Sequence, residues 1–211
     1  MAYDLQEQEQ IDAIKSWWER YGSLIVVTAI ACLITVAAFY GWRSYRHQQS
    51  LAAVTLYEQL VQAERANEGK KVRDIAAQIT DKYAGLPYAA MAALSAARAG
   101  FESGDLDAAK AQLQWVIDNA KEDEMRDVAR MRLAGVLLDE KKYDDALALA
   151  NAGQSAAFSG LYADLKGDIL LAQGKRGEAR GAYQQALDKS DARSQYRQTI
   201  QAKLDALGDA K

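Results

Sequence analysis

His47 is the only histidine and Cys32 the only cysteine in this chain of 211 residues. General acid–base catalysis most often uses a histidine, and nucleophilic catalysis often a cysteine, within hydrogen-bonding reach of a partner. His47 follows Arg46 with no second imidazole to share a metal. Cys32 lies inside an uncharged apolar run, where a thiol serves as a small packing residue. Aspartates and glutamates fall in turns and at helix starts, as in Glu122-Asp123-Glu124, where solvation and the helix dipole account for them. Gly174 and Gly177 have no strand before them to aim a helix at a phosphate. This inventory predicts no catalytic residue, no metal site and no cofactor.

The elements around these residues begin with a membrane anchor. From Tyr21 to Trp42 about 22 residues pass without a charge, enough for one helix to cross a hydrocarbon core of roughly 30 Å. Trp17, Trp18 and Tyr21 stand before the run and Phe39, Tyr40, Trp42 and Tyr45 close it, the aromatic belt of two membrane interfaces. A cleaved signal peptide would have a basic leader and small residues before the cut. Here Asp4, Glu7, Glu9, Asp12 and Glu19 outnumber Lys15 and Arg20, and the run ends in bulky aromatics. Ala29-Ile30-Ala31 before Cys32 echoes a lipoprotein box, but the chain stays apolar well beyond it. Orientation is left open by charge, because Lys15, Arg20 and the amino terminus nearly balance Arg43 and Arg46. Ile11, Ile14 and Trp18 share a helical face that suits the bilayer surface, a cytoplasmic partner or a plain extension of the anchor.

Beyond the anchor the composition is that of an all-α domain. Pro87 is the only proline, good helix formers abound and β-branched alternation is scarce. Opposite charges nearly balance and form no basic stripe, which argues against nucleic acid as a partner. One cysteine cannot form an intramolecular disulfide.

Internal repeats supply the architecture. The segments SGDLDAAKAQLQWVI, EKKYDDALALANAG and QGKRGEARGAYQQAL align, each a turn followed by a helix with alanine at the same place: Ala109, Ala146 and Ala179. A small residue precedes each by a constant interval, namely Ala97, Ala134 and Gly167, letting paired helices approach closely. The spacing resembles tetratricopeptide repeats, which recur about every 34 residues, although the usual tryptophan and closing proline are missing. Residues 51–66 and 72–83 are expected to form a degenerate first unit. Tyr196, Ile200, Leu204 and Leu207 make one apolar stripe, as on a C-terminal capping helix. The chain thus divides into a short acidic tail (1–20), an anchor helix (21–42), a juxtamembrane segment with the first helix (43–66) and a repeat domain with its cap (67–211).

In tetratricopeptide arrays the first helix of each unit lines a concave face. Carried onto this sequence, that register places Met91, Leu94, Arg98 and Phe101 there, then Val128, Met131 and Leu138, then Leu161, Asp164, Asp168 and Leu171. Such a face, apolar and with adaptable methionines, suits varied apolar protein segments. The same residues could instead pack between neighbouring helices.

The order of features resembles the YfgM-type ancillary subunits of the bacterial Sec translocon over nearly the whole chain. The likeness rests on the acidic leader, IDAIKSWWERYG before the span, Gly41-Trp42-Arg43 closing it, and ADLKGDILLAQGKRGEARGAY from Ala163 to Tyr183. It implies a single-pass inner-membrane protein with a cytoplasmic N-terminus and a periplasmic repeat domain. It also implies association with the Sec translocon and a membrane-anchored periplasmic chaperone, and help in transferring secretory client polypeptides. A bitopic scaffold binding one folded envelope partner is the alternative. An envelope hydrolase is disfavoured by the lone histidine.

Overall fold

The computed structural model describes residues 2–153, 155–191 and 193–208, with side chains from residue 15 onward except at 29. Asp4, Glu7, Glu9 and Asp12 of the acidic leader, with Ile11 and Ile14, therefore lie outside the described side chains, whereas Glu19 is exposed. Two compact units result, Met1–Leu51 and Ala52–Lys211, and helix α1 (Ala2–Arg65) contributes to both.

In the first unit α1 is long and apolar enough to cross a membrane. Leu24, Leu33 and Ile34 are each about two-thirds exposed, so the large apolar side chains have no protein to cover them. A helix apolar on every side is at home in hydrocarbon, where its backbone is satisfied internally. Its two mid-span hydroxyls are satisfied as well: Thr28 Oγ1 donates to the Leu24 carbonyl at 2.7 Å, and Thr35 Oγ1 to that of Ala31 at 2.8 Å. At the far end the Arg46 guanidinium sits 5.4 Å from the Trp42 ring centre. His47 and Cys32 are both exposed in this unit.

The second unit continues from the end of α1 through α2 (Gly69–Lys82), α3 (Pro87–Glu102), α4 (Leu106–Asn119), α5 (Asp123–Asp139), α6 (Tyr143–Asn151), α7 (Ser159–Ala172), α8 (Arg176–Lys189) and α9 (Tyr196–Ala206). No strand occurs among the described residues. From α2 onward each helix packs on the next, while α5 also touches α3 and α7. Leu60 and Ala63 of α1 join Val72, Ile75 and Ile79 of α2 and the alanines of α3 in one core cluster. Pro87 opens α3 at a position where its missing N–H costs nothing.

One turn geometry recurs four times and defines the units. Asn67, Gly104, Lys141 and Gly174 all adopt left-handed φ, at 56°, 78°, 60° and 79°, roughly 33–37 residues apart. After each, an amide reaches back to a helix carbonyl in the same way: Glu68 to Ala63, Asp105 to Gly100, Lys142 to Leu137 and Lys175 to Leu170. This is the helix-closing motif in which a left-handed residue satisfies the orphan carbonyls. The next helix then begins with Val72, Ala109, Ala146 and Ala179 donating to Glu68, Asp105, Lys142 and Lys175. The degenerate unit is thus a true unit, with Val72 where the others carry alanine.

The small residues read from the repeats are all buried: Ala97, Ala109, Ala134, Ala146, Gly167 and Ala179. Gly167 has the clearest steric reason, since a Cβ there would stand 2.4 Å from Tyr183 Cε1. Its close neighbour is that tyrosine ring. At the end of the stack α9 buries Ile200 and Leu204 against α7 and α8, with Tyr196 and Leu207 partly buried beside them.

Candidate functional site

The first helices of three units, α3, α5 and α7, meet at an open depression of about 370 Å³. Helical periodicity brings their inner positions to it: Ala97 and Phe101 from α3, Val136 and Leu138 from α5, Leu165 from α7, with Leu113 of α4 behind. Gly135 lies on the wall, and Arg132, Asp139 and Asp168 bring polar groups to it. Phe101 remains 46% exposed, a large apolar surface for a soluble domain.

Of the residues expected on this face, Phe101 and Leu138 come together here. Met131 is partly buried on the same helix, and Leu171 is 37% exposed at the end of α7, though neither lines the depression. Met91, Val128 and Leu161 lie towards the opposite, N-terminal ends of α3, α5 and α7 and are partly buried. Leu94 is corrected: it is buried in the core with Leu113, Val116 and Leu133, because its side of α3 turns towards α4 and α5. Arg98 lines a separate polar hollow with Glu64, Arg73 and Glu102. Its guanidinium binds Glu102 at 2.7 Å, and that hydrogen bond holds its pKa above the ordinary arginine value.

Asp164, also placed on the open face by register, is only 2% exposed. Lys203 of α9 reaches it at 2.8 Å and Asp168 at the same distance, and the Tyr196 hydroxyl donates to it as well. Tyr183 donates to Asp168 at 2.7 Å. Burial pulls the Lys203 ammonium towards neutrality, but the hydrogen bonds to the two carboxylates outweigh it and leave its pKa raised. Burial, then the bonded aspartates, push the Tyr183 and Tyr196 hydroxyls far above the ordinary tyrosine value. These carboxylates fix the capping helix.

A second buried carboxylate, Asp127 of α5, escaped sequence reasoning. It is 1% exposed and accepts from Tyr162 Oη at 2.9 Å, Arg130 at 3.0 Å and the Ser155 amide at 3.2 Å. It ties α5 to α7 and to the turn before it. The only sequence signal was an aspartate among the apolar positions of α5. Among the described residues no group of three or more His, Cys, Asp or Glu is placed to hold a metal ion.

The family model for a tetratricopeptide repeat-like domain matches residues 15–209. An ancillary SecYEG translocon subunit of Neisseria gonorrhoeae is 32% identical over 98% of this chain and all of its own length. The chain belongs to this family. Similar proteins of the same name include that of Haemophilus influenzae, 28% identical over 88% of this chain and 91% of its own. That of Escherichia coli is 28% identical over 95% and 96%. The match covers the apolar helix of this chain as well as its repeats.

Proposed function

We propose that this protein is a membrane-anchored adaptor of the Sec translocon, which receives newly translocated segments on its repeat domain and helps pass them to a membrane-anchored periplasmic chaperone. Its N-terminus is cytoplasmic, the apolar part of α1 spans the inner membrane, and the repeats work in the periplasm. It performs no catalysis and needs no cofactor. The observation that carries the reading is the near full-length likeness to ancillary SecYEG translocon subunits, anchor segment included. The depression between α3, α5 and α7 supports the receiving role, since it offers apolar walls and no reactive pair. A bilayer anchor beside an exit pore raises the local concentration of a weak binding surface, so clients can be held and released without tight affinity.

Site-directed photocrosslinking in intact cells tests the proposal. Probes at Phe101, Met131 and Leu171 are expected to capture secretory polypeptides or a periplasmic chaperone, and probes at Trp42 and Tyr45 the translocon. Adducts to one folded envelope protein alone, with none to the translocon, would favour the scaffold instead.

A further inference from the structure

The wall of the α3–α5–α7 depression carries a glycine that packing does not explain. Glycine inside a helix is destabilising relative to alanine, so its presence calls for a reason. At Gly100, Gly160 and Gly167 the reason is visible, because an added Cβ would come within 3.1, 2.8 and 2.4 Å of a neighbouring helix or side chain. At Gly135, inside α5, an added Cβ would meet nothing within 4 Å. Gly177 and Gly181 are equally free, but they stand on the exposed surface of α8. Gly135 instead lines the open depression, and its missing side chain enlarges that space.

The charges beside it are also left unused. Arg132 and Asp139 lie one helical turn on either side of Gly135, on the same face, and both are exposed. Neither has an ion pair or hydrogen bond to any described residue. Nearby charges behave otherwise: Arg98 is paired with Glu102, Lys110 with Glu140, and Asp168 with Lys203. A free donor and a free acceptor flanking an apolar hollow match one chemistry closely. An extended main chain offers unpaired C=O and N–H groups to them, whereas a helix or folded sheet has already used its own.

Building on the adaptor reading, we infer that this depression anchors one large apolar side chain, aromatic for preference, of an extended and unfolded polypeptide segment. Phe101, Val136, Leu138 and Leu165 enclose the side chain. Arg132 and Asp139 hold the main chain before and after it. The volume of about 370 Å³ falls at the small end of ligand clefts, room for one side chain and its backbone. An aromatic ring gains further from the Arg132 guanidinium over its face.

The test uses the purified full-length protein in detergent and short labelled Gly-Ser peptides with a single central Phe, Leu or Ala. Binding is read by fluorescence anisotropy. The Phe peptide is expected to bind best and the Ala peptide at least about tenfold more weakly, a difference of the size expected for losing one buried apolar side chain. Gly135→Leu, whose added Cβ meets nothing within 4 Å, is expected to keep or raise the thermal midpoint, since glycine is the poorer helix former, and to weaken Phe-peptide binding by about tenfold or more. Arg132→Ala and Asp139→Ala, both on the surface, are expected to weaken all three peptides, and Arg132→Ala the Phe peptide most. They decide the matter should Gly135→Leu prove unstable. Equal binding of Phe and Ala peptides, undiminished binding by Gly135→Leu at an undiminished midpoint, or undiminished binding by both alanine variants would overturn the pocket. Equally tight binding of a cross-linked helical Phe peptide would overturn the extended segment, and capture of a second copy or only a folded domain would do the same. If the wild type binds no peptide at all, the client-receiving reading fails too; if it binds peptides but Gly135→Leu does not matter, only the pocket fails.

Discussion

Lys203 is held by two carboxylates of α7, and those same carboxylates accept from Tyr196 and Tyr183, so one side chain of the last helix depends on four others for its place. Taking an aspartate out of water costs several kcal/mol unless its partners are complete, which makes this network sensitive to the loss of any proton. Tyr183, Tyr196 and Tyr162 have folded pKa values above the ordinary 10.0, chiefly through burial and then through their bonded aspartates, and that of Lys203 lies above 10.5. The folded state therefore binds protons that the unfolded state has released. The stability they contribute is complete below about pH 10 and falls as pH rises from the unfolded values through the folded ones. In an alkaline titration these three of the 11 tyrosines are expected to ionise only as helical ellipticity collapses. Tyrosinate absorbance and circular dichroism followed together give the answer; full ionisation with ellipticity intact would mean the hydroxyls are not held as described. On the acid side Glu140 behaves oppositely. Its bonds to Lys110 and Lys142 lower its pKa, so its contribution is present above the ordinary value of 4.5 and lost as pH falls through the folded value.

Each helical hairpin is closed by one residue in a left-handed conformation, and only two of the four are glycine. For an L-residue that conformation costs about 1–2 kcal/mol, less for asparagine. Lys141→Gly is therefore expected to stabilise the domain by about 0.5–1 kcal/mol after the added freedom of the unfolded chain is subtracted, and Asn67→Gly by less. Urea unfolding of the two variants measures it, and a loss of stability in Lys141→Gly would show that its side chain does something the turn does not. The same positions explain what was legible in sequence. Ala109, Ala146 and Ala179 mark their units because a small residue is required where a second helix begins against the first. The first unit hides behind Leu60 and Val72, larger residues at the equivalent places, and behind Asn67, which does not announce a turn as Gly104 and Gly174 do. On the open face the register located Phe101 and Leu138, because a helix repeats its direction every turn. It could not tell that Leu94 turns inward, since burial of one side of α3 depends on where α4 and α5 lie. Gly135, Arg132 and Asp139 were passed over for a different reason: two are polar, one has no side chain, and an apolar pattern is blind to all three.

At the scale of the molecule, the two units have opposite relations to water. One exposes Leu24, Leu33 and Ile34 on a helix long and apolar enough to cross a membrane, and the other closes its own core around Tyr183, Ile79 and Ile169. The second unit is compact by itself, with its clusters made from residues beyond 52. A fragment beginning at Ala52 is accordingly expected to fold with the same thermal unfolding as the repeats in the full chain. What it should lose is position. On the adaptor reading, tethering confers an effective concentration in the millimolar range on a site of modest affinity, and releasing the fragment freely into the periplasm forfeits about a hundredfold or more of capture. Its intrinsic affinity for a Phe-bearing peptide should be unchanged, because the depression lies wholly within α3, α4, α5 and α7. The decisive comparison is photocrosslinking from Phe101 in the tethered and released forms at equal abundance, beside peptide binding by both in vitro. Equal capture in cells would mean that the domain finds its clients by affinity alone, and that the anchor serves some purpose other than placing the groove beside the emerging chain.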